Sequence, residues 1–141
     1  MLTSQTDLVL WNGLPVPATV TFSSGGAPDA LTRVWLARSV NGGFPLGYYS
    51  LKHIVNQPKD LSNPSAMTRQ RIHLRCPKLD LTVGSNPKLV SAGTASLEIA
   101  TPANWSEADR QDLLAFIASA LSLRLNNKLG DNIVAGQLAG S

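Results

Sequence analysis

A single cysteine, Cys76, stands in a chain of 141 residues, so no disulfide framework can staple this fold from within. Histidine is nearly as scarce. His53 and His73 are the whole supply, and the chain offers neither a carboxylate pair with an obvious role nor a cluster of metal ligands. His73 and Cys76 lie three apart on a β-type run, which sends their side chains to opposite faces and excludes joint work as base and nucleophile. Long apolar runs are missing too. Nothing approaches the roughly 18 consecutive apolar residues of a membrane span, and the first basic residue is Arg33, so the charged start of a secretory signal is not present. The expectation is a soluble, non-enzymatic protein made without export, with no metal, cofactor or membrane partner.

Two motif-like stretches carry no chemistry. "NGGFPLG" has glycines but no Gly-Lys-Ser/Thr and no helix after it, so it reads as a turn. Asn104-Trp105-Ser106 fits a glycosylation sequon, but Ser106 reads better as a helix N-cap.

What is present begins with enough apolar content, 43% of residues, for one domain with a core. The net charge of +3 is unevenly placed. Between Arg33 and Lys88 nine cations face two acids, a local net of +7, while each flank carries −2. Cations gathered in the middle third point to a polyanion partner, with a merely solvated basic face as the alternative.

Along the chain, "DLVLWNG" and "PATVTFSS" read as a hairpin, with the turn-rich "SSGGAPD" as its exit. "LTRVWLARSV", "LGYYSLKHIVN" and "MTRQRIHLRCPK" follow as strands. After "LDLTV" comes an expected loop, "GSNPKLVSAG", and then "TASLEIA", in which Ala95, Leu97 and Ile99 alternate with Thr94, Ser96 and Glu98. The period changes after Pro102. Ser106 with Asp109 three residues on forms a capping box, and Leu113, Leu114, Phe116, Ile117, Ala120 and Leu121 recur at helical spacing. Arg124 and Lys128 are expected near that helix's C-terminal end with Gly130 as its stop, and "DNIVAGQLAGS" as a further short helix. Strands followed by helix predict an α+β fold in one domain: an N-terminal hairpin over residues 1–26, an antiparallel sheet over 30–101 and C-terminal helices over 105–141.

One strand stands out. In "MTRQRIHLRCPK", Arg69, Arg71, His73 and Arg75 occupy alternate positions, with Ile72, Leu74 and Cys76 between them, which places a row of cations on one face and a dry row on the other. Solubility alone accounts for some exposed cations on a strand. Three arginines, with Glu98 as the one plausible acidic neighbour, exceed that need, and the planar guanidinium suits phosphate.

The order of these features resembles the coat proteins of single-stranded RNA bacteriophages. "TRQRIHLRCPKLDLTVGSNPKLV" is similar to that family's strand, proline corner and glycine-then-proline loop, and "ASLEIATPANWSEADRQDLLAFIASALS" to its last strand, proline and long helix. "LGYYSLKHIVNQP" is similar to the preceding strand, and the resemblance spans roughly residues 30–135. It implies an interlocked homodimer whose two sheets join edge to edge and whose helices pack over the partner. It further implies assembly into an icosahedral T=3 shell around single-stranded genomic RNA in the bacterial host cytoplasm, with the sheet facing inward.

Residue by residue, the resemblance assigns RNA contact to Arg69, Arg71 and His73, to Lys52 and Asn56 on the neighbouring strand, and to Thr94 and Ser96 on the last strand; Arg75 is added to these as the fourth cation of the row. The dimer interface would take Leu113, Phe116, Ile117, Ala120 and Leu121, with core packing inside one chain as the other reading of that stripe. Two departures stand out: Thr94 replaces the stacking tyrosine of well-studied members, and Ile54 puts an apolar side chain on the wet face. Both bear on hairpin recognition and on repression of replicase translation, since stacking supplies much of the specificity for single-stranded RNA. The glycine-containing loop would lie at the shell's symmetry axes, and with Cys76 in a strand the shell would hold without disulfides. A non-viral dimeric RNA-binding regulator using the same basic face is the alternative.

Overall fold

The computed structural model describes residues 5–13, 18–60, 62–63, 66–82, 86–123 and 129–136. Six strands form one antiparallel sheet in chain order: β1 (Leu8–Trp11), β2 (Thr19–Asp29), β3 (Thr32–Ala37), β4 (Tyr49–Asn56), β5 (Met67–Asp80) and β6 (Lys88–Pro102). Two helices follow, α1 (Glu107–Leu121) and α2 (Leu129–Val134). This is the expected α+β order, with short 3₁₀ turns at Asn41–Gly43 and Pro45–Gly47 where "NGGFPLG" reads as a turn.

Three boundaries differ from expectation. "SSGGAPD" is not a hairpin exit; the chain stays extended to Asp29 and pairs with β3, Ser23 opposite Leu36 and Gly26 opposite Val34. Register shifts on either side of Gly26 absorb the extra residues, and Gly26 takes φ 102°, which a residue without Cβ adopts freely. Asp29 then closes the turn, its Oδ1 accepting from the Leu31 amide at 2.8 Å and its Oδ2 from Thr32 Oγ1 at 3.1 Å.

The loop expected through Gly93 is shorter. β6 already begins at Lys88, opposite Asp80, and Gly93 lies within the ladder opposite Cys76. Backbone pairing that continues along a long hairpin satisfies donors and acceptors that a loop would leave to water. Gly84 lies outside the described residues.

The third difference concerns the helix end. Ser106 and Asp109 do form the capping box, Ser106 Oγ accepting from the Asp109 amide and Asp109 Oδ2 from the Ser106 amide, both at 3.2 Å. However, α1 stops at Leu121, where Ser122 turns extended, and Arg124 and Lys128 lie outside the described residues. Gly130 is no stop: it is buried inside α2, and a Cβ there would sit 2.7 Å from the carbonyl oxygens of Leu121 and Ser122. The residue that reads as a terminator instead permits α2 to press against the end of α1.

The core is small. Among the described residues Phe22, Ala37, Leu79 and Pro77 are the buried apolar side chains, and no residue of α1 is buried. Leu114, Phe116 and Leu121 are exposed, Phe116 to 73%. The helical stripe therefore finds no full cover within its own chain.

Candidate nucleic-acid interface

The alternation along β5 is as the sequence predicts. Arg69, Arg71, His73 and Arg75 are exposed, while Gln70, Ile72, Leu74 and Cys76 are half-buried. Register fixes the company of each. Asn56 pairs with Arg69, Ile54 with Arg71, Lys52 with His73 and Ser50 with Arg75; on the other side Ala100, Glu98, Ser96 and Thr94 face the same four residues in turn. Every residue assigned to RNA contact thus falls on one face of three neighbouring strands. Ser50, which sequence reading passed over, joins them through the pairing of β4 with β5, a relation that parity within one strand cannot reveal.

The face is divided in its electrostatics. Glu98 accepts from Arg69 Nη1 at 2.7 Å and from Arg71 Nε at 3.0 Å, and all three side chains are solvent-exposed. These two guanidinium hydrogen bonds, Arg69 first, hold the Glu98 carboxyl below its ordinary range. Further along, Ser96 Oγ and His73 Nδ1 share a hydrogen bond at 2.6 Å. Lys52 and Arg75 have no carboxylate partner among the described residues. Arg71, His73, Ser96, Leu97 and Glu98 line a shallow depression of about 260 Å³.

The opposite face is apolar and only partly covered. An open groove of about 370 Å³ is lined by Leu8, Trp35, Leu51, Ile72, Ile99 and Leu114, with His53, Gln70 and Arg110 at its polar points. His53 Nε2 donates to Gln70 Oε1 at 2.8 Å, so the second histidine belongs to this face and satisfies a local polar neighbour. Cys76 is on this side as well, where burial pushes its thiol up. The five residues assigned to a dimer interface lie on α1, with Leu113, Ile117 and Ala120 half-buried and Phe116 and Leu121 exposed.

β6 forms one border of the sheet. From Lys88 to Ser96 its side chains are exposed on both faces, including Leu89 and Val90, the latter to 63%. Among the described residues no group of His, Cys, Asp and Glu could hold a metal ion, and no helix is long and apolar enough to cross a membrane.

A six-stranded antiparallel sheet in sequential order with helices set beyond the last strand is the bacteriophage coat-protein fold, and solved capsid structures share it over nearly the whole chain. The chain is similar to the virus-like particle of bacteriophage ESE058, with 23% identity, 97% of this chain and 99% of that chain covered, and a TM-score of 0.81. It is similar to the virus-like particle of Beihai levi-like virus 21, at 16% identity, 99% and 100% coverage and a TM-score of 0.78. The bacteriophage GA capsid protein aligns at 15% identity over 94% of this chain and 95% of its own, with a TM-score of 0.70. No protein-family model and no curated protein matches the sequence.

Proposed function

We propose that this protein is a viral coat protein that forms interlocked homodimers, assembles into an icosahedral shell and packages single-stranded RNA against its arginine-bearing sheet face. The end-to-end likeness to chains solved as virus-like particles carries the reading. Physical features of the single chain support it. An exposed β6 border invites pairing with a second β6, which would join two sheets into one and remove an open edge. An uncovered helical stripe and an uncovered apolar groove are complementary needs, and exchange of α1 between two copies meets both.

The polar face supplies the RNA term. Lys52 and Arg75, together with whatever charge Glu98 leaves on Arg69 and Arg71, would neutralise phosphates in a mainly sequence-independent way, while His73, Asn56, Ser96 and Thr94 offer hydrogen bonds. Thr94 stands where a stacking aromatic is expected for hairpin recognition, so repression of replicase translation would depend on other residues.

The test is expression of the chain alone in bacteria, followed by size-exclusion chromatography, negative-stain microscopy and absorbance at 260 and 280 nm. Uniform hollow particles with nuclease-protected RNA are expected. A fixed dimer that binds RNA but never closes into shells would favour the non-viral regulator, and a monomer free of nucleic acid would defeat both.

A further inference from the structure

The arginine row is not one uniform electrostatic surface. Glu98 sits directly opposite Arg71 in the β5–β6 ladder and reaches both Arg71 and Arg69, two positions apart on one strand, with one oxygen for each. Three charges thereby reduce to a local net of +1. Beyond this clamp, Arg75 and Lys52 have no carboxylate partner among the described residues and are flanked on the same face by Ser50 and Thr94, whose hydroxyls can donate to phosphate oxygens, and by Ser96, which hydrogen-bonds His73.

We propose that Glu98 sets where phosphates bind on the RNA surface: it occupies Arg69 and Arg71 and confines phosphate binding to the stretch of the row formed by Arg75, Lys52 and their hydroxyl neighbours. This rests on the RNA-packaging reading and adds a path to it. A phosphate that approaches Arg71 must displace a carboxylate already seated on its guanidinium and must enter a depression that Glu98 also lines. Like-charge repulsion and the lost charge-assisted hydrogen bonds both oppose that displacement. At the Arg75 end no carboxylate competes among the described residues. Glu98 thus keeps the face less adhesive to arbitrary polyanions than its count of arginines implies, and a strand of RNA crosses the sheet at the level of Arg75 and Lys52 in place of running along the row.

The test is a double-mutant cycle on full-chain protein, stripped of nucleic acid and held below its assembly concentration. The probe is a fluorescein-labelled oligouridine, and anisotropy gives affinity as a function of salt. In the wild-type background Arg75→Ala should flatten the salt slope by about 0.7, the value for one phosphate on a single strand, and Arg71→Ala by clearly less. Glu98→Gln should steepen the slope by about 1.4 as two arginines become available. In that background Arg71→Ala should now flatten the slope as much as Arg75→Ala does. Glu98→Ala, which leaves no amide to bond the arginines, should behave as Glu98→Gln, with circular dichroism to check that each variant is folded. Wild-type binding with an unchanged slope in both Glu98 variants, or equal effects of Arg71→Ala in both backgrounds, overturns the role of Glu98 alone. Absence of RNA binding by the wild type and by both variants defeats the packaging reading and this inference with it.

Discussion

Arg71 and Glu98 face each other across the β5–β6 ladder, and the guanidinium Nε donates to the carboxylate at 3.0 Å. The pair lies on the exposed face of the sheet, next to the sheet's open border. Both partners are exposed to solvent, so the pair contributes only weakly to whether the chain stays folded.

That weakness has a pH signature. Two arginine hydrogen bonds depress the Glu98 carboxyl below its ordinary 4.5, so its stabilising contribution is fully present above about pH 4.5 and is lost as pH falls through the lower folded value. The difference in Tm between the wild type and Glu98→Gln should be constant from pH 7 to 5 and shrink toward zero below that window. Because the group is exposed the whole effect should be small. A difference that grows on acidification would contradict the ion-pair geometry.

Phe116 is 73% exposed on a helix that buries none of its residues in its own chain. If a second copy covers it, Phe116→Asp places a charge in an apolar interface and should abolish dimers and particles together. Ile117→Asp should do the same. Particles of wild-type size from either variant, seen by negative-stain microscopy, would remove α1 from the interface.

Gly47 is a packing position in the second 3₁₀ turn. A Cβ there would lie 2.6 Å from Asn41 Cβ and 2.7 Å from Leu79 Cδ1, while Asn41 Nδ2 donates to the Gly47 carbonyl at 2.8 Å and to that of Pro77 at 2.9 Å. Gly47→Ala should cost about 1 to 3 kcal/mol through overpacking, read as a lower urea midpoint. An unchanged midpoint would show that the turn yields without cost.

Cys76 is half-buried on the strand face away from the arginines, with its thiol pushed up by burial. Maleimide should label it slowly in the folded protein and rapidly in urea. On a non-reducing gel the protein should run as a single monomer band even from assembled particles. A ladder of covalent oligomers would place the thiol at a contact between copies.

The readable and unreadable parts of this fold separate along a physical line. Strand parity in "RQRIHLRC" was plain because alternate side chains face opposite sides of any strand, whatever the strand pairs with. The Ser106–Asp109 cap was equally plain, since its partners are three residues apart. "SSGGAPD" misled because its glycines serve a bulge and a close approach to Val34 and Leu36, not a turn. Gly130 misled for the same reason: the carbonyls that exclude a Cβ there belong to another segment of the chain. Ser50 is not legible in the sequence because its place beside Arg75 follows from register between two strands.

What the sequence by itself determined is local in origin: the α+β order of elements, the two faces of β5, the helix start and the cation row, each set by the intrinsic periods of strand and helix. The tertiary structure alone decided which residues share a face across strands, that Glu98 divides the arginine row, and that Phe116 and Leu121 of α1 and residues 88–96 of β6 are left exposed. Those outcomes depend on ladder register and on the helix's path beyond the last strand, and both are set by contacts between residues far apart in the chain.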